Sequence, residues 1–392
     1  MRPSAGKLSG VANASVISCS PPMTPRSSTV FLMVLLDQND FPYGNKKTNR
    51  REESKMAVHK IGLIGGGWVA PFHLRALAKL GDRVRVVWVA DPVRERAEAT
   101  AREAGARPLT DYRQGLKDID CAFVLVPHHL HHPVTLDCFD AGCHVMLEKP
   151  LATSLAHADE MIAAGQRANK TFMVAYPHRY RPSIQLFKKT VLGGRYGRLF
   201  MLDALMDESL QKYAVGWIAK KETLGGGVLF SASHHMLDVM FYIAGAIQSM
   251  SMVGTRGGTN IEGEDTAASV IKFKNGIIGV TRHTWASPRS RIWYTMQATC
   301  EKAHVILTTN PQGDLALEGI KCPWLTRIVA VGEKEEVILG SGEGLDFSPE
   351  VEHFFHCVET GGRPQTDGVA AREMIRLVFE AYRKAELEGA NV

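Results

Sequence analysis

A glycine-rich segment near the start of the alternating pattern has the composition of a phosphate-binding turn. Gly65, Gly67 and Ala70 fit G-x-G-x-x-A directly after an apolar run at residues 61–64. The first glycine permits a tight turn, the second lets the backbone approach a pyrophosphate, and the alanine lets a helix pack closely on a sheet. Because a helix N-terminus offers free N–H groups to an anion, this segment predicts a dinucleotide site.

Asp91 follows the second apolar run and is the candidate for recognising the adenosine ribose. A carboxylate at this place accepts both ribose hydroxyls and repels a 2′-phosphate. The sequence therefore predicts NAD as the cofactor. NADP stays possible, because Arg94 and Arg96 come close behind Asp91 and could soften the preference.

Lys149 is the candidate for proton transfer. It follows the apolar run at residues 144–147, at the carboxyl end of a predicted fifth strand, where doubly wound sheets bind their ligands. An ammonium beside a nicotinamide can hydrogen-bond the reacting oxygen, and burial there lowers the lysine pKa towards a useful range. The alternative is a surface lysine that forms a salt bridge with Glu148.

The elements that must position these residues change character along the chain. Up to about residue 180, apolar strands alternate with helices of 10–15 residues, which predicts a doubly wound parallel sheet, the α/β Rossmann class. After about residue 195, strand-like runs alternate with short glycine-containing turns, among them the Asn-Gly pair at 275–276. This half predicts an α+β domain with a mostly antiparallel open sheet. We expect a cofactor domain at 56–180 and a substrate and oligomerisation domain at 181–392.

The ordered set of motifs resembles the Gfo/Idh/MocA family of NAD(P)-dependent oxidoreductases over about residues 59–390. The motifs that carry the resemblance are Trp68 with His73, Pro127 with His131, Glu148-Lys149-Pro150, Tyr176 with Arg179, the glycines at 225–227 with His235 and Asp238, and the stretch 352–361. The resemblance implies a Rossmann domain followed by a domain with a large open sheet. It also implies homodimers or homotetramers and, in many members, a cis peptide before Pro150.

The resemblance also assigns site residues. It adds to the glycine loop and Asp91 a set of cofactor contacts: Trp68, Val69, Pro127, His131, Glu148 and Lys149 itself. It places His235 on a histidine that contacts the substrate hydroxyl or acts as acid and base beside Lys149. The proposed substrate contacts are Tyr176, Arg179, Ser231 and His234. For Tyr176 and Arg179 the alternative is that they only pack between the domains and support the site. Because two adjacent helical residues point about 100° apart, only one of His234 and His235 is expected to face the cleft.

Ser231 departs from the family pattern. Many sugar and polyol dehydrogenases of this family have an aspartate at the matching position. A serine can donate and accept a hydrogen bond, but it cannot carry a negative charge at neutral pH. The route of the proton, and a preference for an inositol-like or glucose-like substrate, therefore stay open.

These residues together predict an NAD(P)-dependent dehydrogenase or reductase. Its small-molecule substrate would be a secondary alcohol or ketone of a sugar, polyol or cyclic diol. One alternative is a glycosidase of the same family that uses tightly held NAD in a transient oxidation. The other is a non-catalytic dinucleotide sensor, which the presence of both Lys149 and His235 disfavours.

Composition and charge exclude several other classes. The chain has 392 residues and a net charge of +5, of which residues 1–55, with eight basic and four acidic side chains, carry +4. The nearly neutral remainder argues against a nucleic-acid partner. No apolar run approaches the roughly 18–20 residues that span a bilayer, so no membrane association is expected. Residues 1–55 are interpreted as a disordered tail or a wrongly assigned start, with Met56 as the natural first residue.

The cysteines and histidines bear on the cellular compartment and on metal binding. The seven cysteines form no CxxC pair, which predicts free thiols in a reducing compartment and hence a cytoplasmic protein. The histidines at 128, 129, 131 and 132 lie in one predicted loop without the spacing of a zinc site, so no metal is predicted.

Overall fold

The computed structural model describes residues 58–212, 214–288, 294–310, 325–339 and 346–387. The expectation for residues 1–55 lies outside these ranges. The described residues form two sheets, one parallel and one mostly antiparallel.

The first sheet is fully parallel and has the strand order β3-β2-β1-β4-β5-β6. Its strands are β1 (His59–Ile64), β2 (Val84–Ala90), β3 (Arg107–Leu109), β4 (Cys121–Val124), β5 (His144–Glu148) and β6 (Phe172–Ala175). Its helices are α1 (Ala70–Ala78), α2 (Arg94–Ala104), α3 (His131–Asp140) and α4 (Leu155–Ala168). This is the strand order of a dinucleotide-binding Rossmann fold, and it confirms the predicted α/β class.

The strand sequences explain this sheet. All four residues of β4 and of β6 are buried, as expected for parallel strands that are covered by helices on both faces. Strand β3, which our sequence analysis did not predict, is instead largely exposed. It has only three residues, includes Pro108 and lies at the edge of the sheet, where a strand needs fewer backbone donors.

The second sheet follows in the chain and is predominantly antiparallel, which confirms the predicted α+β architecture. Its strands are β7 (Leu199–Asp207), β8 (Ile247–Thr255), β9 (Thr266–Phe273), β10 (Ile278–Thr284), β11 (Tyr294–Cys300), β12 (His304–Asn310), β13 (Leu325–Val331) and β14 (Glu335–Leu339). Their order is β14-β13-β12-β11-β7-β10-β9-β8, and β7 and β10 form a parallel pair.

Helices of the second half connect the two sheets. They are α5 (Pro182–Leu192), α6 (Lys221–Leu224), α7 (Val228–Ser231), α8 (His234–Ala244), α9 (Ser348–Thr360) and α10 (Gly368–Leu387). Helix α8 packs on β7 and β10, whereas α9 packs on α1, and α10 packs on both α4 and β8. The chain therefore returns to the first sheet after completing the second. The domain boundaries at 55/56 and 180/181 stay predictions.

Two expectations from composition can be compared with these elements. In the part of the chain that the structure describes, no helix is long and apolar enough to cross a membrane. Cys121, Cys138, Cys143, Cys300 and Cys357 are buried free thiols, which confirms the prediction for these five. The remaining two cysteines lie outside the described residues.

Candidate active site

The glycine loop joins β1 to α1 with the backbone geometry that the motif requires. Gly65 has φ of 112°, and a Cβ atom there would lie 2.4 Å from the Leu125 carbonyl oxygen. At Gly67, by contrast, a Cβ atom would have no heavy atom within 4 Å. Ala70 begins α1 and is fully buried against the sheet. The loop thus turns tightly at Gly65 and leaves open space above Gly67, which fits a pyrophosphate at the helix N-terminus.

Asp91 lies beside this loop, directly after β2. Its Oδ2 accepts a hydrogen bond from the Gly66 backbone N–H at 3.0 Å, and its Oδ1 accepts one from Val93 N–H at 2.8 Å. Each carboxylate oxygen has a second lone pair for a ligand hydroxyl. The carboxylate is therefore oriented before a ribose arrives, and its charge is close to the loop.

This geometry predicts the outcome of Asp91→Asn. The amide oxygen can still accept from one backbone N–H, but the negative charge is lost. We expect NADH affinity to fall by about tenfold or more, because hydrogen bonds to charged groups contribute about 1.5–3 kcal/mol. NADPH affinity should fall less or rise. Fluorescence titration with both nucleotides measures the ratio, with Asp118→Asn, an exposed acid paired with Arg107, as the control. An unchanged NADH to NADPH ratio would contradict this role.

Lys149 lies at the carboxyl end of β5, and its peptide bond to Pro150 is cis. Because β5 and β1 flank β4, Lys149 and the glycine loop share one sheet edge, about 10 Å apart at the strand spacing of a sheet. The Lys149 Nζ donates to the Ser231 carbonyl oxygen at 3.0 Å. Burial lowers the lysine pKa, and the charges of Glu148 and Glu208 oppose that shift. The neutral amine thus becomes accessible at a lower pH than it does in a solvent-exposed lysine.

Glu148 contacts helix α1 rather than its neighbour's ammonium. Its Oε1 accepts a hydrogen bond from His73 Nε2–H at 2.9 Å, and its Oε2 accepts the Lys149 backbone N–H at 3.2 Å. The His73 ring is fully buried between the rings of Phe123 and Phe347. Glu148 therefore ties the end of β5 to α1, and its contact with a cofactor stays a prediction.

His234 and His235 begin helix α8 and point to different surroundings. His234 is fully buried, packs edge-on against Phe230, and its Nδ1 lies 3.3 Å from Tyr176 Oη. Burial lowers its pKa to about 3. His235 is only partly buried, and its ring centroid lies 4.7 Å from that of His178. Burial, followed by the Lys149 charge, holds its pKa well below the usual range. Both imidazoles are therefore neutral at physiological pH, and His235 is the more accessible one.

Arg179 forms a buried ion pair with Asp238 of α8. The guanidinium Nε donates to Asp238 Oδ2 at 2.9 Å, a second nitrogen donates to Oδ1, and a third to the Gln365 carbonyl oxygen at 3.3 Å. Tyr176 is also buried, with 1% of its surface exposed. The structure thus places both residues in interior contacts. Their direct contact with substrate stays a prediction.

The other predicted cofactor residues occupy the same sheet edge. His131 is fully buried, with Nδ1 2.8 Å from the Pro150 carbonyl oxygen and Nε2 3.0 Å from that of Val126. Burial lowers its pKa to about 4, so the neutral ring donates to one carbonyl at a time. It links the loop that contains Pro127 to the turn after Lys149. At the glycine loop, Val69 precedes α1, and Trp68 is 80% exposed with its ring 5.2 Å from that of Phe72.

Family comparisons agree with this arrangement. A family model described as "Oxidoreductase family, NAD-binding Rossmann fold" matches residues 59–176, and a second, described as "GFO/IDH/MocA C-terminal domain", matches residues 184–306. The chain belongs to the Gfo/Idh/MocA family of oxidoreductases. Its first sheet is thus the NAD-binding Rossmann fold of this family.

Named Gfo/Idh/MocA relatives and solved structures resemble the chain over most of its length. Levoglucosan dehydrogenase of Pseudarthrobacter phenanthrenivorans is 29% identical over 352 residues, 77% of this chain and 90% of that protein. D-glucoside 3-dehydrogenase of Escherichia coli is 29% identical over 55% of this chain and 67% of its own. The structure of a levoglucosan dehydrogenase in complex with NADH superposes with a TM-score of 0.73 at 20% identity, covering 85% of this chain and 98% of that one. That likeness shows the shared fold.

Our sequence analysis missed a group of polar residues that the second sheet brings to this Gfo/Idh/MocA site. Glu208 follows β7, and its Oε2 accepts hydrogen bonds from Trp285 Nε1–H at 3.0 Å and from His283 Nε2 at 3.3 Å. His283 Nδ1 in turn lies 2.8 Å from Ser233 Oγ. The sequence signal for this contact was weak: His283 is one of the alternating buried residues of β10, together with Gly279 and Thr281. Its contact with Glu208 depends on the parallel pairing of β7 with β10, which sequence patterns do not reveal.

The loop histidines serve structural contacts. His128 Nδ1 lies 2.8 Å from the Leu224 carbonyl oxygen, and its ring centroid lies 4.7 Å from that of Trp217. His132 stacks on His157. Among the described residues, no three His, Cys, Asp or Glu side chains are arranged to hold a metal ion.

Proposed function

We propose that this Gfo/Idh/MocA protein is an NAD-dependent dehydrogenase that acts on a secondary alcohol of a neutral sugar, polyol or cyclic diol. The observation that carries the proposal is the partly buried Lys149 at the carboxyl end of β5. Its amine donates to the Ser231 carbonyl oxygen at the sheet edge that the glycine loop also occupies, and its charge acts on the His235 ring. NADP stays possible, because Arg94 and Arg96 follow Asp91.

The cofactor would be held by residues whose geometry fits it. The loop from Gly65 to Ala70 would bind the pyrophosphate, and Asp91 would bind the adenosine ribose. The nicotinamide end would lie near Pro127, His131 and Glu148 at the same sheet edge. When bound, NAD would supply the hydride acceptor for oxidation of the alcohol carbon, and NADH the hydride donor for reduction of a ketone.

Lys149 and His235 would handle the proton. In oxidation, the neutral Lys149 amine accepts the proton of the substrate hydroxyl, and in reduction its ammonium returns the proton to the ketone oxygen. The Ser231 carbonyl oxygen orients Nζ through the 3.0 Å contact. The neutral His235 ring offers a hydrogen bond to the same substrate oxygen. Oxidation is therefore expected to accelerate as pH rises through the lowered lysine pKa, and reduction to slow.

The substrate class rests on the relatives together with the site chemistry. Three matched proteins are named levoglucosan dehydrogenase, D-glucoside 3-dehydrogenase and, from Thermotoga maritima, myo-inositol 2-dehydrogenase. All three names denote oxidation of a hydroxyl on a six-membered ring. The polar groups around Lys149, including His235 and Glu208, can exchange hydrogen bonds with the several hydroxyls of such a ring.

A substrate panel tests the proposal. Purified protein is mixed with NAD at neutral to alkaline pH and with levoglucosan, glucosides, inositols or aromatic cis-diols, and absorbance of NADH is followed. We expect NADH to form with at least one member and to form faster at higher pH. Release of nitrophenol from a nitrophenyl glycoside without NADH would favour the glycosidase instead. Tight NAD binding without turnover of any kind would favour a sensor.

We further propose a cytoplasmic homodimer or homotetramer that packs through the second sheet. Phe200, Val253, Val270 and Ile278 lie on adjacent strands β7 to β10, and each is at least 39% exposed. Such an apolar patch is typical of an association surface. Light scattering after size-exclusion chromatography is expected to give at least twice the 43.1 kDa of one chain, and a single-chain mass would contradict this.

A further inference from the structure

Glu208 is a carboxylate that two donors hold in place, one near the end of β10 and one directly after it. It follows β7 directly, and its side chain is 23% exposed. His283 Nε2, near the end of β10, and Trp285 Nε1–H, directly after β10, both contact its Oε2. A carboxylate held by such donors keeps one orientation, which makes its charge a fixed part of the site.

The hydrogen bonds of His283 connect this carboxylate to the turn between α7 and α8. An ionised carboxylate only accepts, so His283 Nε2–H donates to Glu208. On the other side of the ring, Nδ1 lies 2.8 Å from Ser233 Oγ, which also donates to the Val228 carbonyl oxygen at 3.2 Å. Two positions earlier in that turn, the Ser231 carbonyl oxygen accepts from Lys149 Nζ. Glu208 and Lys149 therefore hold the same turn from two directions.

Among the described residues, the carboxylates of Glu148 and Glu208 act electrostatically on Lys149. The imidazoles that its charge acts on include those of His128, His131, His178, His234 and His235. Glu148 is hydrogen-bonded to His73 on α1, and the Ser231 side chain carries no charge. Glu208 is thus the carboxylate that the second sheet contributes to the lysine.

We propose that Glu208 is a positioning residue: through His283 and Ser233 it holds the segment between α7 and α8 whose Ser231 carbonyl oxygen orients Lys149 Nζ, and it places a negative charge on that side of the lysine. The proposal rests on the proposed function for the part that Lys149 takes in proton transfer. When the substrate hydroxyl gives its proton to Lys149 Nζ, a cation forms there, and the Glu208 carboxylate stays ionised and offsets it. The residue thereby supplies the negative charge that Ser231 cannot.

The test measures the titration of Lys149 itself, so it does not depend on turnover. Full-length protein is labelled with trace acetic anhydride across a pH series, and mass spectrometry of the peptide that contains Lys149 gives the midpoint of its titration. Glu208→Gln keeps an acceptor for Trp285 and His283 but removes the charge. We expect its midpoint to fall by about one pH unit, the lower end of the shift that an adjacent opposite charge produces.

Asp207→Asn is the matched control. Asp207 precedes Glu208 in the chain but pairs with Arg282 on the outer face of the sheet. The Asp207→Asn variant removes the same charge one residue away from Glu208. The titration midpoint of Lys149 in this variant is expected to equal that of the wild type. Glu208→Asp keeps the charge one methylene further back and is expected to shift the midpoint less than Glu208→Gln does. It also decides the matter if Glu208→Gln does not fold.

The outcomes separate this proposal from the proposed function. A Lys149 midpoint in Glu208→Gln equal to that of the wild type, or an equal fall in Asp207→Asn, would overturn the role of Glu208. If the wild type oxidises no substrate, the proposed function fails, and the labelling midpoints still decide whether Glu208 stabilises the ammonium. If turnover is found, the pH profile of kcat in Glu208→Gln is expected to move by the same amount as the labelling midpoint.

Discussion

Replacing Lys149 with methionine is expected to lower kcat for NAD-dependent oxidation about 1,000-fold while NADH binding is retained. Methionine fills much the same space, so the cis turn to Pro150 and the packing of β5 persist, but no group remains to accept the substrate proton. General acid–base groups typically contribute about 100- to 10,000-fold to a rate. Steady-state kinetics with the best substrate of the panel, together with NADH fluorescence titration, measures both quantities.

The matched control is Lys79→Met. Lys79 caps the end of α1 and forms an exposed ion pair with Asp346. The Lys79→Met variant loses the same functional group far from the glycine loop and Lys149, so its kcat and NADH affinity should equal those of the wild type. If Lys149→Met had the kcat of the wild type, Lys149 would have no part in proton transfer. Loss of NADH binding in that variant would instead make Lys149 a cofactor-binding residue without a demonstrated part in proton transfer.

Asp238→Ala is expected to lower the free energy of unfolding by about 3–5 kcal/mol, the cost of breaking a buried ion pair by removing one partner. Asp238 is 2% exposed and Arg179 is 5% exposed, so the variant leaves a guanidinium buried without its counter-charge. The Gln365 carbonyl oxygen and the nearby face of Tyr242 compensate only part of that charge. Denaturant unfolding followed by circular dichroism measures the change.

Two comparisons isolate the cause of that loss. In the double variant Asp238→Leu with Arg179→Met, both charges are removed, and most of the lost stability should return. In Asp118→Ala, which breaks the exposed pair with Arg107, the loss should stay below about 1 kcal/mol. If Asp238→Ala is no less stable than Asp118→Ala, the buried pair does not support the fold as proposed.

The predictable part of the site consists of residues whose chemistry is local in sequence. Gly65, Gly67 and Ala70 lie within six residues of one another, and the strand before them and the helix after them are short-range patterns. Lys149 was predictable because every parallel strand delivers its following residue to the same edge of the sheet. The Rossmann fold and the mostly antiparallel second sheet follow from the same short-range periodicity.

The missed part depends on contacts between distant segments. Glu208 and His283 meet only because β7 pairs in parallel with β10, and neither strand shows in its own sequence which partner it takes. Arg179 presents the same limitation in another form. The family resemblance assigned it a substrate contact, which stays a prediction. Local sequence did not show that a carboxylate from α8 engages its guanidinium. Local periodicity likewise could not predict that α9 and α10 pack onto the first half of the chain.

Transfer of deuterium from carbon to NAD tests the central claim most directly. Levoglucosan and myo-inositol that carry deuterium on their ring carbons are incubated with NAD and the protein, and the NADH formed is analysed by mass spectrometry. Hydride transfer predicts one deuterium in each NADH and one ketone for each NADH, with both products formed about 1,000-fold more slowly by Lys149→Met. Ketone formation with unlabelled NADH, or labelled NADH at the wild-type rate in Lys149→Met, would contradict the account.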